Sequence, residues 1–210
     1  MLIGLEALTG LLFAATGAML WRAFRVARSP SLRNLAVGFF LLALSLAPAI
    51  GLEKLTQDDP EFATEVWDHL DLLFWAYYAT FAAGCVFVFL SFGRRPFQLT
   101  AAYGPVLAWA FPINQIALAA LLFLVVLHAG FNHIVRARAG SLQTAMGFFL
   151  LLAGQFLFMI DLSAIRPEWF APEWFFGTNA LNPRNVVGEV ASVVGAGLLF
   201  LAVARPRRAT

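Results

Sequence analysis

Apolar runs of membrane-spanning length recur along the whole chain. Seven such segments can be read from the sequence, near residues 2–21, 35–52, 66–92, 99–111, 113–134, 142–162 and 186–204. A helix of roughly 20 apolar residues crosses the hydrocarbon core of a bilayer. The sequence therefore predicts an all-α fold, a polytopic bundle of about seven transmembrane helices. The fourth segment is short and contains Gly104 and Pro105.

The composition excludes several other classes of protein. The chain is 61% hydrophobic and 12% charged, whereas soluble domains are about half apolar and about a quarter charged. The basic residues are scattered among apolar segments, which argues against a nucleic-acid interface. We predict a single membrane domain over residues 1–210, with the lipid bilayer as its main partner. The lone cysteine, Cys85, lies in an apolar run and is predicted to be buried.

The arginines predict an orientation. Eleven of them form four clusters, at positions 22–33, 94–95, 136–138 and 205–208. Basic residues concentrate in the cytoplasmic loops of membrane proteins. The four clusters share one side only if segment 99–111 also crosses the membrane. This pattern predicts an outside N-terminus and a cytoplasmic C-terminus, in the cell membrane of a prokaryote.

Two parts of the sequence resemble each other. LeuLeuPhe at 11–13 recurs at 121–123, AlaArg at 27–28 recurs at 137–138, and GlyPhePheLeuLeu at 38–42 recurs at 147–151. We interpret these matches as a duplication, with repeat 1 at about 1–96 and repeat 2 at about 112–210. Parallel repeats of three helices need a crossing helix between them, which we place at about 97–111.

This three-plus-one-plus-three layout resembles the topology of the SWEET and PQ-loop transporters, which implies transport of a small solute. The resemblance covers topology only, because the Pro-Gln motif is absent and Pro48 aligns with Leu157. The basic turn followed by SerLeu and GlyPhe is similar to prokaryotic membrane modules of sensory type. Microbial rhodopsins share the seven-helix layout, but they need a lysine in the last helix to bind retinal. The only lysine of this chain, Lys54, is predicted in a loop, so the resemblance does not extend to retinal binding. No cofactor is predicted.

Polar residues inside the predicted helices are the candidates for a binding site, because ionisable groups in a bilayer are costly. On the third predicted helix, four side chains at spacings of three, four and three lie on one face. They are Asp68, Asp71, Trp75 and Tyr78. The candidates for ligand or ion binding are Asp68, His69, Asp71, Trp75, Tyr78, Gln155, Asp161 and Glu189. They predict an outward-facing vestibule for a small polar solute or a cation. The alternative is that they are solvated helix ends, as expected for Glu6, or structural hydrogen-bonding groups.

The sequence offers no catalytic or metal-binding pattern. His128 and His133 are five residues apart, which places them about 140° apart around a helix, so they do not face one metal ion. Neither a zinc-protease motif nor a nucleophile elbow nor a phosphate-binding loop occurs. We therefore predict neither an enzyme nor a metalloprotein.

An aromatic segment follows the sixth predicted helix, where ProGluTrpPhe occurs twice. Its aromatic residues are Trp169, Phe170, Trp174 and Phe175. Such residues favour the membrane interface, so the segment is expected to lie flat there, to cover the vestibule as a lid, or to dock a partner. Two functions remain open: binding or transport of a small solute, and a non-catalytic sensory module or accessory subunit of a larger membrane complex or homo-oligomer.

Overall fold

The computed structural model describes residues 2–58, 67–92, 114–136, 141–159 and 183–204. These residues form six α-helices, namely α1 Leu2–Ala27, α2 Pro30–Asp58, α3 Trp67–Leu90, α4 Asn114–Arg136, α5 Ser141–Met159 and α6 Pro183–Ala204. The prediction of an all-helical chain is confirmed. The fourth predicted segment, 99–111, lies outside the described residues.

Three of the described helices are long and apolar enough to cross a membrane. They cover residues 3–27, 30–48 and 186–204. Large apolar side chains also face outward from the bundle: Leu11 is 68% exposed, Phe131 64% and Ile134 80%. Contiguous apolar surface of this kind is costly in water and favourable in lipid. Both observations are compatible with a membrane location.

The contacts among the described helices close a ring. Each helix packs against the next one along the chain, and α6 packs against α1. His133 of α4 contacts Ser141 of α5 across a short connection, so these two helices are antiparallel. Gln155, near the end of α5, bonds Tyr77 in the first half of α3. Helix α3 therefore runs in the same direction as α4, and α1, α3, α4 and α6 are parallel.

Helices continue beyond their apolar runs at two places. The basic turn predicted between the first two helices is reduced to Arg28 and Ser29, because α1 extends to Ala27 and α2 begins at Pro30. Arginine is a good helix former, and proline suits the first position of a helix. Lys54, predicted in a loop, lies inside α2. A helix can extend past its apolar run because its backbone hydrogen bonds are internal to the segment.

Arg28 ends α1 in a left-handed conformation, with φ of 52°. Its N–H donates to the carbonyl of Phe24 at 2.7 Å, which satisfies one carbonyl of the last turn. A side chain at such a φ costs roughly 1–2 kcal/mol.

Arg28→Gly should therefore raise the free energy of unfolding by about 1 kcal/mol. Thermal unfolding in detergent measures this, with Arg25→Gly as control, since glycine inside α1 should destabilise. Equal destabilisation by both variants would contradict the expectation.

Glycines bring α2 and α3 into close contact. A β-carbon at Gly38 would lie 2.9 Å from the Gly84 carbonyl oxygen, and one at Gly84 would lie 3.1 Å from the Gly38 carbonyl oxygen. Leu42 covers Gly84 and Val88 covers Gly38. Small residues allow such approach of helix backbones in membranes, where packing rather than burial from water drives association.

The same arrangement joins α5 and α6. A β-carbon at Gly195 would lie 2.7 Å from the Gly147 carbonyl oxygen. Leu151 covers Gly195 and Leu199 covers Gly147. Two helical turns further along, a β-carbon at Gly154 would lie 2.8 Å from the carbonyl oxygen of Gly188. Helices α5 and α6 therefore touch at two levels, and the second level positions the polar residues described next.

Candidate functional site

A hydrogen bond between side chains links α3 to α5. The Gln155 amide nitrogen donates to the Tyr77 hydroxyl at 3.2 Å. The Tyr77 ring also meets the Tyr78 ring edge-on, with centroids 5.2 Å apart, and lies 5.7 Å from the Phe81 ring. This contact places an amide and a phenol in the half of the bundle where α1, α3 and α6 begin.

Two carboxylates lie near this pair. Glu189 on α6 is 8% exposed, and the Oε2 atom of Glu6 on α1 is shielded from solvent. Helix α6, which carries Glu189, packs against both α5 and α1, which carry Gln155 and Glu6. A carboxylate removed from water is costly unless it gains a partner or a counter-ion. The four side chains of Tyr77, Gln155, Glu189 and Glu6 are called the polar cluster below.

The glycine contact between α5 and α6 explains why two members of the polar cluster are neighbours. Gln155 follows Gly154, and Glu189 follows Gly188, whose backbones are in contact. The two side chains therefore start from adjacent positions on touching helices. Ser192 lies one turn from Glu189, but its hydroxyl donates to the Gly188 carbonyl at 3.0 Å.

Other buried hydroxyls bond within their own helices. Thr16 Oγ1 donates to the Leu12 carbonyl at 2.7 Å, and Ser45 Oγ donates to the Leu42 carbonyl at 2.8 Å. Such back-bonding satisfies a hydroxyl without a second helix. These groups are structural, whereas the polar cluster draws side chains from four helices.

The structure places three of the predicted site residues in the polar cluster or directly beside it. Gln155 and Glu189 belong to the polar cluster, and Tyr78 packs beside Tyr77. The structure describes the backbone of α3 at four further candidates but not their side chains: Asp68, His69, Asp71 and Trp75. The remaining candidates lie outside the described residues: Asp161, Trp169, Phe170, Trp174 and Phe175.

Sequence reasoning missed Tyr77 and undervalued Glu6. The stripe chosen on α3 passes through Tyr78, while the inner face of this helix passes through Tyr77, Phe81 and Cys85. The spacing of four between these residues, with Gly84 beside Cys85, was the available signal. Cys85 itself is buried and free, as expected.

The two histidines make separate contacts. The His128 ring lies between Phe89, at 5.1 Å, and Phe92, at 5.7 Å. His133 Nδ1 is 2.7 Å from the Ser141 hydroxyl. Among the described residues, no three His, Cys, Asp or Glu side chains are grouped to hold a metal ion.

Comparisons with known proteins give no relative for this chain. No family model matches the sequence, and neither a curated protein nor a solved structure matches it.

Proposed function

We propose that this chain is a multi-pass membrane protein that binds, and in its full cycle transports, a small polar solute or cation at the polar cluster. The observation that carries the proposal is the hydrogen bond of Gln155 to Tyr77 between α5 and α3, in the same half of the bundle as the buried Glu189 of α6 and the shielded Glu6 Oε2 atom of α1. Carboxylates and hydrogen-bonding groups inside membrane helices mark substrate or ion pathways. Two carboxylates favour a cationic ligand or a polar ligand with a positive group.

Seven membrane crossings are part of the proposal. Helices α3 and α4 are consecutive among the described helices and run in the same direction. The chain must therefore pass from one end of the bundle to the other between Phe92 and Asn114. The apolar segment 99–111 belongs to this connection, which supports a crossing there.

The distribution of charge supports an outside N-terminus in a prokaryotic cell membrane. Five of the six arginines in the described residues lie at the end where α1 and α4 finish: Arg22, Arg25, Arg28, Arg33 and Arg136. Arg184 and Lys54 lie at the opposite end. Six acidic residues lie at the opposite end: Glu6, Glu53, Asp58, Asp68, Asp71 and Glu189. The side rich in arginine faces the cytoplasm in membrane proteins, so the polar cluster would open outward.

A duplication of three helices is also proposed. The ring order relates α1, α2 and α3 to α4, α5 and α6. The glycine contact of α2 with α3 has the same form as that of α5 with α6. Leu42 covers Gly84 in the first contact as Leu151 covers Gly195 in the second. Parallel repeats with the site between them are a known design of secondary transporters.

Native mass spectrometry of the chain, extracted gently from its own membrane, tests this function. We expect one small molecule or ion bound per chain or per homo-oligomer, and a mass shift when methylammonium, tetramethylammonium or potassium chloride is added to the ligand-free protein. A chain that carries nothing and gains no probe would contradict the proposal. A stable complex with a different polypeptide would instead favour the sensory module or accessory subunit.

A further inference from the structure

The duplication has a defined register in the structure. One constant offset relates Gly38, Phe39 and Leu42 of α2 to residues of α5: Gly147, Phe148 and Leu151. A second offset relates Gly84 and Val88 of α3 to Gly195 and Leu199 of α6. The residues matched in this way make equivalent contacts in each half. We call residues of α1, α2 and α3 the first half, and those of α4, α5 and α6 the second half.

Phe39 and Phe148 are equivalent residues in this register, and they touch each other. Their ring centroids are 6.2 Å apart, and the residues are 2% and 1% exposed. When two equivalent units are related by a two-fold axis, a residue that contacts its own counterpart lies on that axis. The axis between the halves therefore passes through the contact of these two rings.

The equivalence is broken at the level of the polar cluster. In the same register, Tyr77 corresponds to Gly188, Tyr78 to Glu189, and Gln155 to Leu46. Tyr77 and Gln155 therefore have no polar side chain at the matching position of the other half, and the polar cluster draws side chains from both halves. Gln155 lies two turns from Phe148, about 10 Å along α5. The phenylalanine pair therefore lies below the polar cluster, with the buried Leu151 and Leu152 of α5 between them.

Contacts within each half are more extensive than contacts between the halves. The pairs α1 with α6 and α3 with α4, which join the halves, have the smallest contacts of the ring. Within the halves, glycines bring the helix backbones together. The least costly motion of the bundle is therefore a tilt of one half against the other, which keeps the close contacts intact.

We propose that the Phe39 and Phe148 rings form the inner barrier of the path, closing the seam between the halves below the polar cluster and separating when the halves tilt. The barrier rests on the binding function proposed above. An apolar constriction of this kind excludes water and polar solutes without a charged gate. Phe13 supports the barrier from α1, with its ring centroid 5.9 Å from that of Phe39.

The test is the flux of methylammonium into liposomes that contain wild type, Phe39→Ala, Phe148→Ala or the double variant. We expect the double variant to admit methylammonium at least about tenfold faster than wild type. Phe89→Ala is the matched control, because Phe89 is also buried, at 4% exposure, and its ring contacts His128 rather than the phenylalanine pair or the polar cluster. It should leave the flux at the wild-type rate.

Two outcomes would overturn the barrier: a monodisperse double variant as tight as wild type, or an equal leak in Phe89→Ala. If the alanine variants do not fold, the pair Phe39→Leu with Phe148→Leu keeps apolar packing, and unchanged flux there has the same meaning. Binding of methylammonium is measured separately by native mass spectrometry. Binding without any change in flux refutes the barrier alone, while absent binding in wild type refutes the binding function.

Discussion

Gly195→Ala should destabilise the bundle by forcing α5 and α6 apart. The added β-carbon would lie 2.7 Å from the carbonyl oxygen of Gly147 and 3.3 Å from Leu151 Cγ. A backbone carbonyl cannot rotate away as a side chain can, so α5 and α6 must separate. Overpacking of this kind costs about 1–3 kcal/mol, and occasionally more. Thermal unfolding in detergent, followed by tryptophan fluorescence, measures the loss.

Gly197→Ala is the matched control on the same helix. A β-carbon at Gly197 meets nothing within 4 Å, so the substitution adds helix propensity, up to about 1 kcal/mol, without a clash. The two variants differ by one methyl group each and lie two residues apart. Equal stability of the two would show that the contact of α5 with α6 is looser than described.

Glu189→Gln should weaken cation binding strongly while leaving the fold intact. Glutamine has nearly the shape of glutamate and keeps hydrogen-bonding capacity, so packing around this buried position is preserved. The substitution removes a negative charge that a cationic ligand would compensate. Charge-assisted hydrogen bonds contribute about 1.5–3 kcal/mol, so methylammonium affinity should fall at least about tenfold. Titration followed by native mass spectrometry measures this change.

Ser192→Ala provides the comparison for this experiment. Its hydroxyl is already engaged by the Gly188 carbonyl of its own helix, and the residue is as buried as Glu189, at 8% exposure. Binding should be unchanged in this variant. Wild-type affinity in Glu189→Gln, or an equal loss in Ser192→Ala, would exclude Glu189 as a charged partner of the ligand.

The apolar runs predicted where helices exist, but not where each one ends. The last residue of helix α6 is Ala204, the same residue at which its apolar run was predicted to end. Helix α1 was predicted to end at Trp21 but continues to Ala27. Hydropathy reports the boundary of the lipid, whereas helix termini depend on local capping, here the left-handed Arg28.

The proposed duplication of three helices would need a register in the first helix of each half that differs from the one that residue identity suggests. The match of identical residues pairs Phe13 with Phe123, but the Phe13 side chain is 2% exposed and the Phe123 side chain is 49% exposed. The buried position in α4 is Leu122, at 1% exposure. Matching letters in apolar helices is a weak guide to register, because many apolar residues are interchangeable against lipid.

The sequence by itself determined the helical class, the apolar surface and two members of the polar cluster, Gln155 and Glu189, because the length of an apolar run and a charge within it are local properties. Tertiary structure decided that Tyr77 rather than Tyr78 bonds Gln155, and that Phe39 meets Phe148. Both contacts join distant parts of the chain. Which face of a helix points inward depends on where its neighbours lie, and that is set by the glycine contacts between helices rather than by any one segment.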